Sequence, residues 1–230
     1  MTESGPLDVQ RHAGEVARRV GALPARDVPH LRALRRELSR EVRGWEPAAV
    51  LDLARELVGR GGWESRFLAC ELVASHGPAL AAVGAAELEA LGAGMADWGA
   101  VDTFGCYVAG PAWRERQVRD EVVHGWARSP DRWWRRAALV ATVALNSRAR
   151  GGRGDAARTL AVCRLLAGDR DDMVVKALSW ALRELAKRDA DAVRAFLAEH
   201  EGRLAPRVVR EVTNKLTTGL KTPRRQSPGG

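Results

Sequence analysis

Asp102 is the lone charge in the run Trp98-Gly-Ala-Val-Asp-Thr-Phe-Gly-Cys-Tyr-Val-Ala109. The spacing puts Trp98 and Asp102 one helical turn apart, on one face, with the carboxylate above the indole. Asp97, just outside the run, serves as an N-cap. Asp102 has no such role, because it occupies the second turn of a mostly apolar helix. An ionised carboxylate there is costly unless something cationic meets it. Arg136 is the candidate cation nearest in register, at the head of the run Arg136-Ala-Ala-Leu-Val-Ala-Thr-Val-Ala-Leu145, which has no further charge. Two readings follow: an Asp102–Arg136 ion pair that staples two helices together, or a carboxylate and an indole kept for a cationic reactant.

Trp98 belongs to a series. Trp63, Trp98 and Trp133 stand 35 residues apart, and Met173 follows after 40 more. The phrases they open are Trp63-Glu-Ser-Arg66, Trp98-Gly-Ala-Val101, Trp133-Trp-Arg-Arg136 and Met173-Val-Val-Lys176. Three of the four place a cation three residues after the large apolar residue, and the phrase at Trp98 does not. A period of this length is the mark of a stacked-repeat protein. It predicts an all-α, single-domain α-solenoid of HEAT-like helix pairs with a concave basic surface, spanning residues 1–218. The equivalence of Trp63 and Trp133 also allows a packing role for Trp98.

The helices that must position these residues read from their punctuation. Expected spans are 7–22, 29–43, 47–59 (ended by Gly59 and Gly61-Gly62), 63–76 and 78–91. Residues 98–109 end at Gly110-Pro111, and 112–127 and 131–147 form the next pair. The stretch from Ala149 to Gly154 is a flexible Gly/Arg-rich connection. After it come 155–167, 171–188, 190–200 and 206–217, then a disordered basic tail over 219–230.

In the helix that starts near Asp171, a rotation of about 100° per residue gathers Leu178, Ala181, Leu182 and Leu185 within about 80° of Val174. That is the buried stripe. Trp180 falls on the opposite side, among Lys176, Glu184 and Lys187, where core packing gives it no reason to be. It is either a functional aromatic or an incidental exposed one.

At 46% hydrophobic residues the chain can bury a core, which excludes wholesale disorder. The net charge of +8 points to a polyanionic partner, with a solvated Arg-rich surface as the plain alternative. Between Arg203 and Arg225 seven Lys/Arg face one Glu, either as a grip on a duplex or as a solvated end. Cys70, Cys106 and Cys163 sit among apolar neighbours outside any paired motif and read as buried thiols in a reducing compartment. The five histidines are scattered, so no metal site is expected. The sequence shows no signal peptide and no run of about 18 apolar residues. It predicts a cytoplasmic monomer with no membrane association and no small-molecule cofactor.

Trp98-x-x-x-Asp102, then Trp133-x-x-Arg136-Ala-Ala, then Lys176-Ala-x-x-Trp180-x-Leu-Arg-Glu184, in this order and at these separations, resemble the AlkD-type DNA alkylation-repair glycosylases. The resemblance covers residues 45–218 and is sharpest between 95 and 200. It implies an active site of Trp98, Asp102, Arg136 and Trp180. It also implies excision of positively charged N3- and N7-alkylated purines from double-stranded DNA, leaving an abasic site. In such chemistry Asp102 stabilises an oxocarbenium-like transition state or positions a water. The indoles attract the cationic nucleotide, and Arg136 grips a phosphate. Arg66, Arg136, Lys176 and Lys215 are the expected DNA contacts. The doubled Trp133-Trp134 and the Gly/Arg stretch at 149–154 are departures. The alternatives are a non-catalytic module that binds DNA structures and a protein-interaction scaffold.

Overall fold

Aspartate opens six of the helices. Asp27, Asp97, Asp131, Asp155, Asp171 and Asp189 each accept a first-turn backbone amide. Each cap contributes about 1 kcal/mol and fixes where its helix begins. Pro47 and Pro206 open two more from positions that need no amide hydrogen. The computed structural model describes residues 6–222, and among these no strand is present. The expected tail lies, from residue 223 onward, outside the described residues.

The chain forms two compact units that meet between Arg119 and Asp120. No Gly/Pro-rich linker marks this boundary in the sequence.

The first unit contains α1 (Pro6–Gly21), α2 (Val28–Glu41), α3 (Pro47–Gly59), α4 (Trp63–Ser75), α5 (Gly77–Ala81), α6 (Ala85–Gly92), α7 (Trp98–Phe104) and α8 (Gly110–Arg114). Adjacent α3 and α4 pack together, and α1 lies on α3, α2 on α4 and α4 on α7, as stacking of helix pairs produces. At the centre is α4, where Phe67 through Val73 are all buried.

The second unit contains α9 (Asp120–Ala127), α10 (Arg132–Asn146), α11 (Ala156–Leu166), α12 (Asp172–Leu185), α13 (Ala190–Glu199) and α14 (Pro206–Thr218). Here α9 meets α11, α10 meets α12, and α12 meets α14. Arg136 through Asn146 are all buried, which makes α10 the central helix. On α12 the expected stripe of Val174, Leu178, Ala181, Leu182 and Leu185 is buried.

Four local expectations are corrected. The helix from 78 to 91 is broken between Ala81 and Ala85, where the Glu87 carboxylate accepts from the Gly84 amide and starts α6 afresh. The helix expected to stop at Ala109 continues to Arg114. A π-helical turn over Gly105–Ala109 inserts one residue, the Gly110 amide reaching back to the Gly105 carbonyl. Pro111 then falls in the opening turn of α8, where its missing N–H costs nothing. The expected helix over 112–127 is interrupted after Arg114 by a turn in which Arg116 adopts φ 63°. Last, the Gly/Arg stretch is tied down. Arg148–Arg150 form a single 3-10 turn, and the Arg188 guanidinium donates to the carbonyls of Asn146 and Gly152. Gly152 is there for close packing, since a Cβ on it would lie 2.7 Å from the Ala144 carbonyl oxygen.

Candidate active site

In the first unit, Asp97 caps α7 through the Ala100 amide at 2.9 Å and sets its first turn. Trp98 follows, 62% exposed, the only tryptophan of the described chain presented to solvent to this degree. One turn later Asp102 is half-buried, flanked by buried Val101, Thr103 and Phe104. The Thr103 hydroxyl turns back to the Gly99 carbonyl at 2.8 Å, so Asp102 is the acidic group on this stretch of helix. The structure places Trp98 and Asp102 one turn apart on α7, an exposed indole and a half-buried carboxylate.

The π turn that follows Asp102 carries Tyr107, whose hydroxyl accepts from Arg32 Nη2 at 3.4 Å. Arg32 also donates from Nε to Glu71 at 3.0 Å, and Arg35 Nε lies 3.4 Å from the same carboxylate. The hydrogen bond to Glu71 raises the Arg32 pKa above its ordinary value, against the opposing effect of burial. Glu71 is 7% exposed, so a buried carboxylate on α4 holds the partly exposed Arg32 of α2, which in turn reaches the π turn. Nothing local in the sequence marks this cluster, because Arg32 and Glu71 lie 39 residues apart and meet only through packing.

Trp63 is half-buried and edge-on to Phe67 at 6.0 Å, which suits a packing role. Arg66 is half-buried, with one guanidinium nitrogen enclosed and the other close over Gly94. Cys70 is buried, and desolvation pushes its thiol up to about 12. Cys106 is buried as well, and desolvation also raises the buried Cys163 thiol of the second unit. With their ionisation suppressed, Cys70 and Cys163 are poor nucleophiles.

In the second unit, Arg136 is 5% exposed and donates from Nη1 to the Met173 carbonyl at 2.6 Å. Trp133 is half-buried beneath the Arg132 guanidinium, 4.8 Å from its ring centre. Trp134 packs on Trp126 at 5.2 Å, which gives the doubled tryptophan a structural use. On α12, Lys176 is exposed and pairs with Asp172 at 2.6 Å, and Asp172 also takes Arg207 at 2.6 Å. These cations, Lys176 foremost, hold the Asp172 carboxyl below its usual range. Trp180, one turn beyond Lys176, is half-buried rather than fully on the solvent face. Lys215 caps the end of α14 by donating to the Gly219 carbonyl at 2.5 Å. Among the described residues no cluster of His, Cys, Asp or Glu could hold a metal ion.

Comparison with known proteins gives one match. No curated protein and no solved structure matches the chain. A family model for DNA alkylation repair enzymes matches residues 25–216, a span that takes in every candidate residue from Arg66 to Lys215. With most of its length covered, and with an open indole and a carboxylate side by side on α7, the chain belongs to the DNA alkylation repair enzyme family.

Proposed function

We propose that the protein is a DNA glycosylase that hydrolyses the N-glycosidic bond of cationic N3- and N7-alkylated purines in duplex DNA. The observation that carries this reading is the pairing on α7 of an indole 62% exposed with a half-buried carboxylate one turn away. An alkylated purine at N3 or N7 already bears a positive charge, so it leaves with the bonding electron pair as a neutral base and needs no proton from the enzyme. What remains is the positive charge that develops on the sugar. A fixed carboxylate such as Asp102 stabilises it, as the carboxylates of glycoside hydrolases do. Water then bonds to the anomeric carbon and its proton passes to Asp102 or to solvent.

The Trp98 indole face attracts a cationic nucleotide by roughly 0.5–2 kcal/mol and so favours damaged over neutral purines. Trp180 and Arg136 take their roles in this proposal from the family resemblance: a second indole for the nucleotide and a grip on a phosphate. Arg66, Lys176 and Lys215 would contribute to binding as charges.

The test is incubation of the protein with methylated duplex DNA and measurement of released 3-methyladenine and 7-methylguanine. Release by the wild type, with a loss on the order of 100-fold or more in Asp102→Asn, is the expected result. Binding of DNA without release by the wild type would sink the enzyme reading and leave a non-catalytic DNA-binding module.

A further inference from the structure

Charges on α2 are sorted by face. Glu37 and Glu41 turn toward α1, where both pair with Arg19, at 2.7 and 2.8 Å. Arg36 and Arg40, one turn apart on α2, and Arg43 in the turn that follows are all exposed. Among the described residues none of these three arginines meets a carboxylate or makes a hydrogen bond. A helix C-terminus welcomes a cation or two through its dipole. That gives no account of three guanidinium groups lining one cavity.

The cavity holds about 410 Å³ and lies between the second half of α2 and the junction of α4 with α5. Arg36, Ser39, Arg40 and Arg43 line it from α2 and the turn after it, and Ser75 and His76 line it from the α4–α5 junction. No carboxylate lines it. Arg35, which also reaches it, is already engaged by Glu71 at 3.4 Å. His76 is 7% exposed, and its Nδ1 accepts from the Ala79 amide at 3.1 Å. That bond occupies Nδ1 and leaves Nε2 as the ring nitrogen able to donate. The charge of the lining is therefore positive, and Glu37 and Glu41, the acids of α2 that could neutralise it, are paired with Arg19 instead.

We propose that this arginine face binds the phosphodiester backbone of nucleic acid, as a contact surface that shares no residue with Trp98 and Asp102. Each guanidinium offers a planar fork that suits phosphate oxygens. From Arg36 to Arg40 the helix advances about 6 Å at 1.5 Å per residue, and Arg43 extends the row past its end. The charges of one strand recur about every 3.4 Å of duplex axis, so the face meets more than one phosphate at a time. A single small anion would leave most of the ladder unused. The proposal leans on the repair reading only for naming DNA as the polyanion.

The test uses the full chain and an undamaged fluorescent duplex, with binding followed by anisotropy from roughly 0.05 to 0.2 M salt. Each phosphate contact removed lowers the slope of log affinity against log salt by about 0.9. The triple variant Arg36→Gln, Arg40→Gln, Arg43→Gln is expected to lose about two to three units of slope and at least about tenfold in affinity. The matching triple lysine variant keeps its slope. A glutamine variant with the wild-type slope overturns the proposal. So does loss of the same slope in both variants, because then charge is not what binds. A glutamine variant that keeps its DNA slope but no longer binds polyglutamate would transfer the face to an acidic protein partner. Base release separates this idea from the catalytic one. If the wild type releases no methylated base yet the slope falls as described, the glycosylase reading fails and the arginine face stands.

Discussion

Arg136 donates to the carbonyl oxygen of Met173 at 2.6 Å, so the cation of one phrase of the repeat is held by the residue that opens the next. The contact joins α10 to α12 and turns a sequence period into a physical register. Arg136 is 5% exposed, so the bond forms largely out of water, where a charged donor matters most. Arg136→Ala is expected to lower stability by about 1.5–3 kcal/mol through the lost charged hydrogen bond alone. Arg136→Lys recovers only part of this, because an ammonium lacks the planar fork. Urea unfolding of the two variants measures both. Equal stability of Arg136→Ala and wild type would show that the bond is not formed in solution.

Tryptophans in this chain span the range of burial, most of them half-buried. Trp113 is fully buried, whereas Trp98 is 62% exposed. Trp98→Ala should therefore change stability by no more than about 0.5 kcal/mol. On the proposed function it should still reduce the preference for methylated over unmethylated DNA by about 2- to 30-fold, the value of one cation–indole contact. Trp113→Ala should cost about 3–5 kcal/mol. Thermal melts beside competition binding check the pair. A large stability loss at Trp98 would mark its indole as a packing element.

Helix starts were legible because they are local events: an aspartate followed by an apolar period declares its cap, and six aspartates in the structure do so. The juxtaposition of Trp98 and Asp102 was legible for the same reason, since four residues of one helix fix it. Interruptions were not. The π turn at Gly105–Ala109 packs on α4 just before Pro111, and helical periodicity does not register one inserted residue. Glu71 with Arg32 and Arg35 was hidden because its partners come from distant parts of the chain. The stretch at Ala149–Gly154 misled through composition: glycine signals flexibility and close approach alike, and only the neighbouring backbone tells which applies.

Gly152 makes that distinction measurable. A Cβ there would meet the Ala144 carbonyl oxygen and the Ser147 nitrogen at 2.7 Å, both of them backbone atoms that cannot swing aside. Gly152→Ala should destabilise the protein by about 1–3 kcal/mol, as overpacking does. Gly44 has open space around its Cβ position, and Gly44→Ala is the control expected to be near neutral. A Gly152→Ala variant as stable as wild type in urea would return the segment to the status of a slack linker.

Alkaline pH should expose the cost of the buried thiols. Desolvation raises Cys70 from the ordinary 9.0 to about 12, and Cys163 moves in the same direction. Below pH 9 both folded and unfolded chains keep the Cys70 proton, and its contribution to stability is constant. Above that value the unfolded chain releases the proton while the folded chain retains it. Stability then falls as pH rises toward 12, where the folded thiol ionises too. The slope from one thiol is at most about 1.4 kcal/mol per pH unit. Cys70→Ala should be less stable than wild type near neutrality, because it leaves a small cavity, yet lose stability less steeply above pH 9. Urea midpoints from pH 7 to 10.5 would show the two curves converging, and parallel curves would mean that Cys70 is accessible to water in the folded chain.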